Sequence, residues 1–266
     1  MAHNPEARAL TEAHKLLQIA LGESYVARAI SLLGMIDMDA IGATSQAWAV
    51  EMHALMQEGY LLSAEQAAQY LTEFRAVEAG ITDGPIVRPR MGSDHIIDEL
   101  LNLADDMQSL REAGHSEGMI SDFAASRIEG YVQRGVLNGG RNTIRASSRA
   151  NVRAFGWLRV SDGNPCAFCA MLVGRGPVYK AETVGFRSHD YCGCTAEEFY
   201  GEKWSDWEPT GEEARWRDVY FEVAEIATAT EGRRVAPKPG MSEDTILWRM
   251  RRHSPNLFSD GVHPKV

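Results

Sequence analysis

All four cysteines of this 266-residue chain fall between Cys166 and Cys194, in a definite pattern: Cys166-x-x-Cys169, nineteen intervening residues, then His189-x-x-Cys192-x-Cys194. A C-x-x-C turn places two thiolates on one side of a tight loop, and a second short motif across a hairpin can complete a tetrahedron. The start of the chain, Met1 to Arg8, is polar and mixed in charge, unlike a secretory signal, so cytosolic synthesis is expected. Clustered cysteines in that setting favour a metal over disulfides. Soft thiolates with imidazole suit zinc, and four protein ligands leave no open position, so a structural Zn2+ is expected. Five side chains compete for the four places: Cys166, Cys169, His189, Cys192 and Cys194. Cys166 and Cys169 are the firmest, His189 with Cys192 is the first choice for the rest, and Cys194 can replace either. A redox role for Cys166 and Cys169 is an alternative without a βαβ pattern to support it. A catalytic zinc with Glu182 or Asp190 as base is another, set against the closed character of thiolate-rich sites.

Around this cluster the pattern is mainly α: a helical N-terminal region over 1–90, then a domain over 91–230 with a small α+β zinc-stabilised module at about 157–200, then a polar, partly irregular tail over 231–266. Asn4 caps and Pro5 opens the first helix, with Leu10, Leu16, Leu17, Ile19, Val26, Ile30 and Leu33 as its apolar positions and Gly34 as its end. A second helix is predicted from Thr44 to Gly59, and a third from Ser63, with Ser63 and Gln66 forming a capping box, to Ala79. Gly80 to Gly92 reads as a linker, and Ser93 or Asp94 caps the next helix. The following helix runs from about Ile120 to Phe155 with an interruption at Gly139-Gly140. Trp157 to Val160 reads as a strand. Met171 to Val173 and Val178-Tyr179 read as a hairpin about Gly174-Arg175-Gly176-Pro177, and Thr195 to Glu198 as a short helix. Helices are also predicted over Glu212 to Thr228 and Asp244 to Arg252. No run of uninterrupted apolar residues approaches a membrane span, so no membrane partner is expected.

The run Trp157-Leu158-Arg159-Val160, Asp162, Pro165-Cys166-Ala167-Phe168-Cys169-Ala170-Met171-Leu172, Arg175-Gly176-Pro177-Val178-Tyr179 and His189-Asp190-Tyr191-Cys192-Gly193-Cys194 resembles the core of the MuF-like phage head morphogenesis family. The version in phages of actinobacteria is the most similar. Its members are often labelled capsid maturation protease and sometimes minor capsid protein. The resemblance implies a virion protein present in few copies inside the head, near the portal vertex. Its expected partners are portal protein, major capsid protein and scaffold, with no small-molecule substrate.

The net charge of −10 argues against a simple nucleic-acid coat. Arg141, Arg145, Arg149 and Arg153 nevertheless follow at four-residue steps, and on a helix they make a basic ridge. The ridge is either a solvated face or a contact for packaged DNA or an acidic portal surface. Catalysis is harder to place. Ser116 follows His115 directly, and neither a G-x-S-x-G elbow nor an H-E-x-x-H motif occurs. A protease acting on scaffold or capsid protein is therefore the second reading, and a DNA-binding module the third, behind a structural protein.

Overall fold

The computed structural model describes residues 4–92, 95–177, 186–209, 211–226 and 237–262. The predicted caps Ser93 and Asp94, the turn residues Val178-Tyr179 and the candidate base Glu182 lie outside them. The described chain is mainly helical: α1 (Pro5–Leu32), α2 (Ile41–Ala79), α3 (Ile96–Glu112), α4 (Glu117–Ala150), α5 (Ala167–Gly174), α6 (Glu212–Val223) and α7 (Glu243–His253). One two-stranded sheet, β1 (Gly156–Val160) and β2 (Thr195–Phe199), pairs antiparallel with Trp157 opposite Glu198 and Leu158 opposite Glu197.

Helix α1 starts as expected, with the Asn4 side chain accepting from the Glu6 N–H and Pro5 at the first turn. Its inward face is a surprise. Ala7, Thr11, His14, Gln18, Gly22, Tyr25 and Ala29 point into the protein, while Leu16 (62% exposed), Leu17 (56%) and Ile30 point out. Two of the polar inward groups, Thr11 and Gln18, have long-range hydrogen-bond partners, whereas the buried His14 Nε2 has none. Thr11 Oγ1 donates to Glu197 (2.6 Å), and Gln18 accepts from Ser63 (2.5 Å) and donates to Gln66 (2.9 Å). His14 stacks on Tyr70 at 4.4 Å, and its burial lowers its pKa to about 3, so it stays neutral. By length and composition Pro5–Met35 would serve as a membrane-crossing helix, although no uninterrupted apolar run reaches that length.

The predicted second and third helices are one 39-residue helix, α2. Ser63 caps nothing; it is buried in mid-helix, bonded to Gln18 and to the Gly140 N–H of α4 (2.8 Å). Beyond it Ala64, Ala67 and Ala68 carry strong helix propensity. Gly80 ends α2 in the left-handed region (φ 65°), with its N–H on Ala76 and that of Ile81 on Arg75, a Schellman arrangement. Helix α4 likewise runs unbroken through Gly139-Gly140, because those glycines serve the helix crossing. A Cβ on Gly139 would sit 2.0 Å from the Tyr60 carbonyl oxygen of α2, a backbone atom that cannot swing aside. Gly139→Ala is therefore expected to lower stability by roughly 3 kcal/mol, read from a denaturant midpoint. Gly118→Ala, which meets nothing within 4 Å, should leave it unchanged or slightly raised.

Two predicted elements change type. Met171 to Val173 belong to α5, not to a hairpin, and Thr195 to Glu198 form β2, not a helix. Pairing with β1 supplies the backbone partners of β2. Its buried carboxylates find side-chain partners on α1 and α2, Glu197 in Thr11 and Glu198 in Arg75. Two larger apolar cores result. One joins Tyr25, Trp48, Met52, Leu100, Met107, Ile128 and Val136. The other joins Tyr70, Leu71 and Phe74 of α2 to Trp157, Met171, Trp216, Tyr220 and Met250, and it includes Cys169, Cys192 and Cys194. Both draw on residues before and after position 91.

Candidate metal centre

The two cysteine motifs meet. Cys166 is the N-cap of α5, its sulfur accepting the Cys169 N–H at 3.4 Å, so the first turn of the helix aims both thiols the same way. Pro165 and Ala167 on either side of Cys166 are pinned from the C-terminal segment: Ser259 N–H donates to the Pro165 carbonyl (3.0 Å), and Asp260 accepts the Ala167 N–H (2.7 Å). The second motif turns tightly, with Tyr191 in the left-handed region (φ 63°) and the Cys192 N–H on the His189 carbonyl. The Tyr191 hydroxyl fastens this turn to Ser126 of α4, and Asp162 accepts the Gly193 N–H (2.9 Å).

Cys166, Cys169 and His189 form one potential ligand group, and Cys169, Cys192 and Cys194 form another, with the donor atoms within 4.8 Å of one another in each. Cys169 belongs to both. Its sulfur lies 3.7 Å from Cys192 Sγ and 3.3 Å from His189 Nε2, and Cys166 Sγ lies 3.0 Å from the same nitrogen. Tetrahedral zinc with ordinary bond lengths separates two sulfurs by roughly 3.8 Å and sulfur from nitrogen by roughly 3.6 Å. The sulfur–sulfur distance matches, and the sulfur–nitrogen distances are a little shorter. His189 Nδ1 faces the Asp190 carbonyl oxygen (2.6 Å), which leaves Nε2 for a metal. The expected ligands are thus brought together, and five side chains still serve four places.

The electrostatics favour thiolates at Cys166 and Cys192 and the protonated form at Cys169 and Cys194. The Cys169 hydrogen bond, followed by that of His189, pulls Cys166 down to about 5 against the opposing effect of burial. The Cys166 contact lifts His189 to about 9. Cys192 is lowered by its bonds with Cys169 and Cys194 and by Arg141 and Arg159 nearby, while bonds with Cys166, Cys192 and Cys194 raise Cys169. Two buried arginines complete the surroundings. Arg159 Nη1 lies 3.6 Å from both Cys169 Sγ and Cys192 Sγ, and Arg141 donates to the carbonyls of Cys194 (2.8 Å) and Cys192. Both guanidiniums stack on Phe186. A cation donating N–H bonds to thiolates offsets the negative charge that three or four of them bring to a divalent metal.

These arginines carry roles that the sequence pattern hid. Arg141 is 1% exposed and donates to the carbonyls of Cys192 and Cys194, so the four arginines do not share one exposed ridge. Four-residue steps drift about 40° per step around a helix. Arg145 is accordingly half-buried and Arg149 exposed, while Arg153 lies beyond the end of α4, paired with Asp83 at 2.7 Å. A cue for Arg159 did exist, as a lone charge within the apolar run Trp157 to Val160. Asp190, the other candidate base, is paired with Arg134 at 3.2 Å.

A comparison with curated proteins finds no match. A comparison with solved structures finds none either. The family model described as VG15 protein, by contrast, matches residues 4–223, from the start of α1 to the end of α6 and across the whole cysteine–histidine cluster. The chain belongs to the VG15 protein family, a phage/viral protein family.

Proposed function

We propose that this is a minor capsid protein of a tailed phage, a head morphogenesis protein of the MuF-like kind. In this reading it sits inside the head near the portal vertex, in contact with portal protein and inner capsid, and a structural Zn2+ rigidifies its second half. The observation that carries the reading is the outward face of α1 and α2 in a chain of a viral family. Leu16, Leu17 and Ile30 on α1, and Val50, Leu61 and Leu62 on α2, are all exposed, while polar side chains fill the inside of α1. Leu17 and Leu62 each adjoin the Gln18–Ser63 bond that joins the two helices. Large apolar side chains left exposed on two packed helices, as at Leu16, Leu17, Leu61 and Leu62, suit a surface that another protein covers. The zinc reading rests on the donor set and its spacing, with Cys166, Cys169, His189 and Cys192 as ligands and Cys194 as the reserve.

The test is incorporation. The protein should copurify with portal protein and be present in mature particles. Leu16→Glu/Leu17→Glu, at exposed positions, should keep the melting temperature of the parent and lose incorporation. Absence of the parent from particles, or full incorporation of the double variant, overturns the reading. Coexpression with the major capsid protein tests the alternative: a shortened capsid product by intact mass would make the chain a maturation protease.

A further inference from the structure

A cleft of about 670 Å3 opens between α2, α3, α4 and the segment that leads into His189, away from the metal ligands themselves. Three arginines, Arg90, Arg134 and Arg187, line it against one carboxylate, Glu99, in a chain whose net charge is −10. Arg134 is shared between Asp190 and Glu99, and Arg187 is held by Glu243 at 3.0 Å. Arg90 is exposed and has no ion-pair partner among the described residues.

Donors are left over in the cleft, beside two acceptors, the Glu99 carboxylate and the Asn142 amide oxygen. Asn138 Oδ1 accepts from Arg141 (3.1 Å) and from Ser188 (3.0 Å). A guanidinium can only donate, so the amide is fixed with its oxygen toward Arg141, and its N–H2 has no partner among the described residues. Tyr60, 3% exposed, accepts from Asn142 (3.3 Å) and keeps its own proton to give. The walls between these donors are apolar, from Met56, Met91, Ile96 and Phe186. Convergent donors and surplus positive charge in an apolar cleft suit a ligand that offers carboxylate oxygens beside apolar groups.

A nucleic-acid strand fits less well. A neighbouring cleft shares Glu99, Tyr131 and Arg134 with this one and adds Asp106 and Asp190 beside one further cation, Arg127. A continuous phosphate backbone leaving that way would run against three carboxylates, whereas a peptide is anionic only where it carries an acidic side chain.

We propose that this cleft binds an extended peptide segment of a partner protein, with an acidic residue at Arg90 and Asn138 and apolar neighbours along Met91, Ile96 and Phe186. The site stands on its own chemistry and needs no place in a virion. Short random peptides arrayed against the full-length protein should enrich for Asp or Glu flanked by apolar residues. Fluorescence anisotropy with the best peptide should show affinity falling by roughly tenfold or more in Arg90→Glu and in Asn138→Asp. The second variant keeps the oxygen that Arg141 and Ser188 use and replaces only the free N–H2. Oligothymidylate should not displace the peptide. No acidic enrichment, an affinity unmoved by Arg90→Glu, or displacement by the oligonucleotide overturns the proposal, the last in favour of a nucleic-acid site.

Discussion

Cys169→Ser is expected to abolish stoichiometric zinc binding and to lower the melting temperature by roughly 10 °C. Cys169 is the sulfur common to both ligand groups, so no four-ligand set built on the C-x-x-C motif survives its loss. A metal present at about a thousand times its dissociation constant stabilises the folded state by about 4 kcal/mol through mass action, and at this chain length each kcal/mol moves the midpoint by roughly 2–4 °C. The effect reaches beyond the loop, because Cys169 and Cys192 lie in the same apolar core as Tyr70, Leu71 and Phe74 of α2. Cys194→Ser separates the ligand sets. If Cys166, Cys169, His189 and Cys192 hold the ion, that variant keeps one zinc per chain. Elemental analysis of the purified proteins, with thermal scans in the presence and absence of a chelator, reads both outcomes. A parent protein that carries no zinc and melts at the same temperature with chelator would remove the metal from the account.

The meeting of the two cysteine–histidine motifs was readable in advance because it is written in spacing. Two short motifs of thiol and imidazole need no knowledge of the fold to be recognised as one site. The same holds for the Asn4–Pro5 start of α1, where the capping partner is two residues away. What escaped was whatever depends on remote partners. Ser63 reads as a cap because its side chain would serve one locally, yet its bonds go to Gln18, 45 residues earlier, and to Gly140, 77 residues later. Gly139-Gly140 reads as a break because glycine weakens an isolated helix, yet here the missing side chain lets two backbones touch. Leu16 and Leu17 read as core because leucine is apolar, yet the interior of α1 is matched to polar groups on α2 and β2, and the leucines are left outside. Arg141 reads as surface for the complementary reason, since its buried acceptors are the carbonyls of Cys192 and Cys194 some fifty residues on.

The strand β2 carries the clearest case of such remote matching, and Arg75→Met is expected to destabilise the protein by about 3–5 kcal/mol through it. Arg75 and Glu198 are 1% and 0% exposed and meet by two parallel bonds, Nε to Oε2 at 2.8 Å and Nη2 to Oε1 at 2.6 Å. The third guanidinium nitrogen donates to the Pro85 carbonyl (2.8 Å), which ties the extended segment after Gly80 to the same point, and the Tyr200 hydroxyl donates to Glu198 (2.5 Å). Removing the arginine leaves a carboxylate in the interior with the Tyr200 hydroxyl, just past the end of β2, as its remaining side-chain donor among the described residues, and the cost is that of an uncompensated buried charge rather than of one lost contact. Arg75→Lys should recover little, since an ammonium cannot reproduce the fork and reach Pro85 together. Arg75→Met/Glu198→Met, which removes both charges and keeps the volume, should cost less than Arg75→Met alone. Urea midpoints of the four proteins measure this directly. An Arg75→Met variant within about 1 kcal/mol of the parent, or a double variant worse than Arg75→Met alone, would mean that the pair does not hold β2 to α2.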